Sequence, residues 1–364
     1  MKPDLGLLGL DAGTPLVGPR SIHIDVTNAC NTNCVTCWDH SPHLDEPRSA
    51  AWKRQRVSVE QVERLLDDAR SLSALEAVVI SGMGDPFTHP EIYALIEAVK
   101  SRGLSLTIIT NLIPADPERI LALEVDQLLI GIHAASEEAY RAFHPSFRSD
   151  EWERLHAMLA RFQAAGRRYK HVQVICRENA HELVGMIELA ARYEAERVNF
   201  KLAGLKHGTE AVRITDEQRR RLVEDDVSRA WQLADRLGVR HNLEVFGEQL
   251  AAGGAATAPI EEIGCFMGYV YARILVDGTV LFCCNTDVVV GNLSEASFSQ
   301  LWRGRAWQAL RERMSQGDYF ASCSQCGKLN QNVKLARRFE ARFGRERYLQ
   351  VTGQAGRRKL PVAP

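Results

Sequence analysis

Six short runs rich in Val, Ile and Leu recur between residues 21 and 202, and stretches with helical spacing lie between them. Strand alternating with helix commits a chain to a parallel α/β arrangement, because parallel neighbours need a long crossover and a helix supplies it compactly. The runs predict strands at Ser21–Val26, Ala77–Ser81, Ser105–Thr110, Gln127–His133, His171–Cys176 and Arg197–Leu202. Helices are expected at Ser58–Leu72, Glu91–Arg102, Ser136–Phe143, Glu151–Ala165 and His181–Glu194, two of them closing before Gly103 and Gly166. Six such units suggest an open or partial barrel rather than a closed eight-unit one, with its chemistry at the carboxyl ends of the strands.

Composition narrows the class. With 364 residues, 45% hydrophobic and 25% charged, the chain is an ordinary globular protein long enough to bury a core without disulfide staples. A net charge of -1 gives no sign of a nucleic-acid or membrane partner. The N-terminus lacks the pattern of a signal peptide, and no apolar run approaches the roughly 20 residues of a membrane helix. A cytoplasmic location is therefore expected, where clustered cysteines serve as metal ligands or reactive thiols rather than disulfides.

Five segments are expected: an extension (1–20), the barrel (21–212), a helical linker (213–259), a small α+β domain (260–330) and a basic tail (331–364). One helix is expected over Thr215–Gly238, and the AAGGAATAP stretch at 251–259 reads as flexible. In the small domain YARILVDGTVLFC reads as a hairpin turning at Asp277-Gly278, followed by a helix at Ser299–Met314. The tail carries nine Lys or Arg against two Glu and reads as a solvated helix and frayed end, with a docking tail for an acidic partner as the alternative.

The nine cysteines sort by position. Cys30, Cys34 and Cys37, in DVTNACNTNCVTCWDH, follow the first strand in a CxxxCxxC spacing. Three thiolates on one loop can hold three irons of a cubane cluster and leave the fourth open to a ligand. The competing assignment is a zinc site completed by His40 or His43. In the small domain Cys265, Cys283, Cys323 and Cys326 could close all positions of one cluster, and a tetrahedral zinc would use the same count.

The CxxxCxxC loop after a first strand resembles the radical S-adenosylmethionine (radical SAM) superfamily, and the likeness runs across most of residues 21–330. It implies a partial (β/α)6 TIM-like barrel and a [4Fe-4S] cluster whose open iron binds S-adenosylmethionine. One electron then yields a 5′-deoxyadenosyl radical. An aromatic residue often precedes the third cysteine in that family; here Thr36 stands there and Trp38 follows Cys37, so Trp38 is a candidate to cover the adenine. SGMGDPFTHP resembles the family's glycine-glycine-glutamate-proline segment, which implies that Gly82, Gly84, Asp85 and Pro86 hold the methionine amino group, with Asp in place of Glu. Thr110, Asn111 and His133, at the ends of the third and fourth strands, would face the cavity, and Arg177 and Asn179, after the fifth, would contact the ribose or carboxylate, with a surface salt bridge as the alternative for Arg177.

The run C-x12-G-x4-C, then GNLSEASFSQLWRG, then CxxC, is similar to the SPASM domain or its shortened twitch form. Full SPASM domains place another cysteine where this chain has Asn332, so the likeness implies a single second, auxiliary [4Fe-4S] cluster. Cys176 and Cys284 remain, each either a packed small residue or a thiol that returns a hydrogen atom to a substrate radical, and Cys284 could also be an alternative ligand. The resemblance implies an oxidoreductase of the cytoplasm that takes electrons from a donor such as flavodoxin or ferredoxin. The expected substrate is a hydroxylated small molecule, sugar or aminocyclitol, or one bound to a carrier, held between the two domains. Arg177, Lys201 or His133 would influence proton transfer. Peptide modification, radical epimerisation and a non-catalytic metal-binding role are the alternatives; the short stretch before Cys30 leaves no room for a leader-binding domain and counts against the peptide.

Overall fold

A computed structural model describes residues 4–253 and 260–354. The chain divides into two compact units, one of Asp25–Val57 with Ile80–Ala255, the other of Met1–Ile24, Ser58–Val79 and Ala256–Pro364. The division cuts through the first two strands, β1 (Ser21–Asp25) and β2 (Ala77–Ser81).

In the first unit β3 (Ser105–Thr110), β4 (Gln127–Gly131), β5 (Lys170–Ile175) and β6 (Arg197–Leu202) pair in sequence order, each pair parallel. All six expected strands form, within two residues of the expected ends. The strands alternate buried and half-buried positions, as in β5, where His171, Gln173 and Ile175 are fully buried. Helices Glu137–Phe143, Glu151–Ala164 and Leu183–Arg192 occupy the crossovers. Gly166 takes the left-handed conformation expected after the second of these. The segment expected as one helix at Thr215–Gly238 is helical but contains a π-turn at Leu222–Asp226 and closes on left-handed Gly238.

In the second unit β7 (Tyr271–Ile274) lies parallel to β1, with Ser21 opposite Tyr271 and Ile24 opposite Ile274. β8 (Thr279–Leu281) and β9 (Val289–Asn292) follow antiparallel. Gly278, at φ +83°, makes the expected turn. The helix expected over Ser299–Met314 is two, Phe298–Arg303 and Arg305–Ser315, because Gly304 between them is extended. The pair buries Trp302, Trp307 and Arg311, whose guanidinium donates to the carbonyls of Gly268 and Trp302. Helix Val59–Ser71 also belongs to this unit and opens on a Ser58–Gln61 capping box.

Among its described residues, the basic stretch after Asn330 is packed rather than solvated. Its helices Leu329–Phe343 and Arg345–Val351 bury Leu335, Ala336, Phe339 and Tyr348 in one cluster with Leu7, Leu10, Phe266 and Met267. Arg347 pairs with Asp11 at 2.7 Å and Arg338 with Asp4. The end of the expected linker, residues 254–259, and the last ten residues of the tail lie outside the described residues. Among the described residues no helix is long and apolar enough to cross a membrane.

Candidate active site

In the first unit, the Val26 amide donates to the Ser81 carbonyl and brings the end of β1 beside that of β2. The chain then runs into the cysteine loop. Val35 buries its side chain against Phe143, Cys176 and Val212, and its amide donates to the Phe143 carbonyl. Asn33 and Ser146 exchange hydrogen bonds at 3.2 and 2.7 Å, which fixes the loop to the end of helix Glu137–Phe143. Cys30, Cys34 and Cys37 are free and half-buried as whole residues. Burial pushes the Cys30 thiol up to about 12, with the nearby Asp85 charge adding to it. Burial, then the charges of Cys30 and Cys37, holds Cys34 well above the ordinary thiol range, and burial raises Cys37.

Three thiols on one loop, each held protonated chiefly by burial, are a donor set that iron would draw into the thiolate form, because only the thiolate binds. Two buried side-chain nitrogens of the same loop, Asn31 Nδ2 and His40 Nε2, have no protein partner. Among the described residues no three His, Cys, Asp or Glu side chains converge as ligands of a single ion. Three free, half-buried cysteines on one loop, beside two unpartnered buried nitrogens, are a donor set that fits three irons of a cluster.

The segment after β2 supports this loop from beneath. A Cβ on Gly84 would stand 1.8 Å from the Ala29 carbonyl oxygen, and one on Gly82 would stand 2.7 Å from that of Thr27. Both glycines are required by the backbone of the cysteine loop. The amides of Gly84 and Asp85 donate to the carbonyls of Thr27 and Ala29. Pro86 is buried at the start of a short 3₁₀ turn. The Asp85 carboxylate is buried and turned into the protein. It accepts from Thr110 Oγ1 at 2.8 and 3.0 Å, from the Asn111 amide at 2.7 Å and from the Phe87 amide at 2.9 Å. Burial nevertheless raises its pKa, against those hydrogen bonds. Asn111 Nδ2 in turn donates to Asn31 Oδ1 at 2.8 Å. A chain of contacts thus runs from the cysteine loop through Asn111 to Thr110, Asp85 and back. Sequence reasoning missed Asn31, although a polar residue between two ligand cysteines is a signal for it.

His133, Asn179 and Arg177 each have partners within the protein. His133 sits at φ +63° just past β4, its Nδ1 accepts from the Val174 amide at 3.0 Å, and its ring lies 4.5 Å from that of Phe143. Burial lowers its pKa well below the ordinary range. Asn179 is fully buried; its Oδ1 accepts from the Cys176 amide, and its Nδ2 donates to the carbonyls of His133 and Val174. Together they tie β4 to β5. Arg177 is at the surface, paired with Glu178 at 2.9 Å. Cys176 is buried and its thiol donates to Glu178 Oε2 at 3.2 Å. Trp38 is 44% exposed, its Nε1 donates to the Gly204 carbonyl at 2.6 Å, and Lys206 Nζ stands 4.0 Å above its ring. Lys201 is exposed.

In the second unit Cys265, Cys283, Cys284, Cys323 and Cys326 are free and half-buried. Cys265 and Cys283 pack against the Phe266–Phe339 cluster. Burial pushes Cys265 up to about 12, and the charges of Cys326, Cys323 and Cys284 add to it. Asn332, the position where a full SPASM domain has a cysteine, accepts from the Phe266 amide at 2.8 Å, and its Nδ2 lies 3.8 Å from Cys326 Sγ. Nearby, His23 Nδ1 and the Tyr271 hydroxyl are 3.0 Å apart, and Lys328 Nζ stands 4.1 Å above the Tyr271 ring.

Comparison with known proteins agrees with this layout. Residues 24–190 match the family model of the radical SAM superfamily and residues 265–327 that of the SPASM iron-sulfur cluster-binding domain. An AdoMet-dependent heme synthase of Methanosarcina barkeri is 22% identical over 299 residues, 78% of this chain and 82% of that protein. A PqqA peptide cyclase of Xanthomonas euvesicatoria is 24% identical over 313 residues, 79% and 78% of the two chains. Streptococcus suis SuiB bound to S-adenosylmethionine superposes with a TM-score of 0.62 at 16% identity, over 90% of this chain and 74% of SuiB, a likeness of fold. SuiB has also been solved with its precursor peptide SuiA. These findings give no support to the expected sugar or aminocyclitol substrate.

Proposed function

From its membership of the radical SAM superfamily, with S-adenosylmethionine, a [4Fe-4S] cluster and an auxiliary iron-sulfur centre as cofactors, we propose that this chain is a peptide-modifying enzyme. Cys30, Cys34 and Cys37 would hold the first cluster, and Cys265, Cys283, Cys323 and Cys326 the auxiliary one. When bound, these groups supply an electron to S-adenosylmethionine, giving methionine and a 5′-deoxyadenosyl radical able to take a hydrogen atom from substrate carbon. The chain's own part is positional. Gly82 and Gly84 let the backbone close beneath the loop, Asp85 fixes Thr110 and Asn111 at the end of β3, and Asn111 orients Asn31 beside Cys30. Trp38, held over Gly204, is an exposed ring beside the third cysteine on which an adenine could stack.

The peptide reading rests on the relative named for peptide cyclisation, which aligns over about four fifths of both chains. The heme-synthase relative aligns over a similar span and favours a second reading, oxidation of a tetrapyrrole side chain. Electrons would come from a flavodoxin- or ferredoxin-type donor. Anaerobically reconstituted protein with dithionite and S-adenosylmethionine should release 5′-deoxyadenosine, and Cys34→Ala should abolish it. Absence of this product from protein loaded with about eight irons would overturn the radical reading. A short peptide encoded beside the gene should change in mass on incubation. If it stays unchanged while a propionate-bearing tetrapyrrole is consumed, the second reading replaces the first.

A further inference from the structure

The family motif supplies one cysteine at the end of β8, and this chain has two, Cys283 and Cys284. Adjacent residues of a regular strand point to opposite faces, so only one of them would normally reach a common centre. Here β8 ends at Leu281, and the chain bends through residues 282–284. Beyond the strand that alternation no longer applies, and each thiol is placed by its own contacts. Cys284 Sγ would lie 3.1 Å from a Cβ on Gly327, so it sits against the residue that follows Cys326. Cys283 is held from the other side: it packs on the same apolar cluster as Cys265 and accepts from the Asn285 amide at 3.4 Å. Arg273 Nη1 donates to the Cys284 carbonyl at 3.3 Å and helps to fix the bend.

Five free thiols are thus available to a centre that needs four. We infer that Cys283 and Cys284 form one double-thiol ligand position of the auxiliary centre, either of which completes the set with Cys265, Cys323 and Cys326. The inference rests on the assignment of an auxiliary cluster to these cysteines. Whichever thiol binds iron gives its proton to solvent, and the other remains as a hydrogen-bond donor to the bound sulfur. Hydrogen bonds to ligand sulfurs are among the factors that set cluster potential, so the spare thiol is a positioning and tuning group.

The test uses the full chain with Cys30, Cys34 and Cys37 all changed to Ala, so that only auxiliary iron is counted. After anaerobic reconstitution this parent should hold about four irons. Adding Cys283→Ala or Cys284→Ala should leave about four, each with a reduced-state electron paramagnetic resonance spectrum shifted from the parent's, and the double change should empty the site. Loss of the iron in either single variant overturns the inference, because one thiol is then indispensable. A Cys284→Ala spectrum identical to the parent's overturns it too. The single variants decide the question, so misfolding of the double change would not obscure it. A parent that binds zinc and no iron would refute the auxiliary-cluster assignment instead.

Discussion

Asp85 separates two roles that one motif position can have. The family resemblance gives the acidic residue of this segment to the methionine amino group, but here the carboxylate is buried and accepts from Thr110, Asn111 and Phe87. Each oxygen already faces a backbone N–H, so the amide of Asp85→Asn must set its NH₂ against a donor. The loss is expected on the order of 2–3 kcal/mol, the range for a hydrogen bond to a charged group left unmade. Asp85→Glu restores the family's residue, yet an extra methylene in this closed site should destabilise by about 1–3 kcal/mol. Thermal melts of the reconstituted variants, read beside 5′-deoxyadenosine yield, check both. An Asp85→Glu protein as stable as the parent and faster at cleaving S-adenosylmethionine would mean that the carboxylate reaches the ligand instead.

At the scale of elements, β5 carries an acid-sensitive point. His171 is fully buried in it, neither ring nitrogen has a partner, and burial alone pushes its pKa down to about 3. The unfolded chain titrates near 6.5, so above that pH the two states bind protons alike and His171 makes no pH-dependent contribution. Below it the unfolded chain takes up a proton that the native state refuses, and stability falls by about 1.4 kcal/mol per pH unit between roughly 6.5 and 3. His171→Phe removes this loss and the two unpaired nitrogens. Its melting temperature should exceed the parent's at pH 7.5, and the gap should widen at pH 5.5; a gap that is constant or narrows contradicts the argument. The strand itself was legible from its Val and Ile residues, as were the other five, because β-branched and aliphatic side chains fit a pleated surface that is buried on one face. Gly304 was not read as a break, since one glycine costs a helix only about 1 kcal/mol and the residues on either side favour helix. The contacts of His133 and Asn179 were not legible for a different reason: they depend on a left-handed backbone and on partners over forty residues away, neither of which a local motif encodes. The CxxxCxxC and CxxC spacings were legible because they are short intervals, whereas the inferred pairing of Cys283 with Cys284 depends on a bend.

For the molecule as a whole, a count of charges concealed how the C-terminal stretch is used. Read as charge, residues 331–364 are a solvated tail; read as apolar period, Leu335, Ala336, Phe339 and Phe343 mark one helix face, and that face is buried or half-buried. The same helix supplies Asn332, whose side chain receives the amide of Phe266 directly after Cys265 and approaches the sulfur of Cys326. Tyr348 donates to the Ile263 carbonyl at 2.6 Å, two residues before Cys265. Both ends of the auxiliary cysteine set are thus positioned by residues that follow it in sequence. Deleting everything after Asn330 removes no cysteine, yet it should lower the iron content after reconstitution from about eight to about four per chain. Phe339→Ala is the graded form: the ring is fully buried, and its loss should cost about 3–5 kcal/mol. That change should loosen the auxiliary iron first, seen as faster loss to a chelator, while 5′-deoxyadenosine formation at the other cluster persists. If the truncated protein stays soluble and keeps all its iron, the cysteine knuckle holds itself, and the helices after it serve some other end.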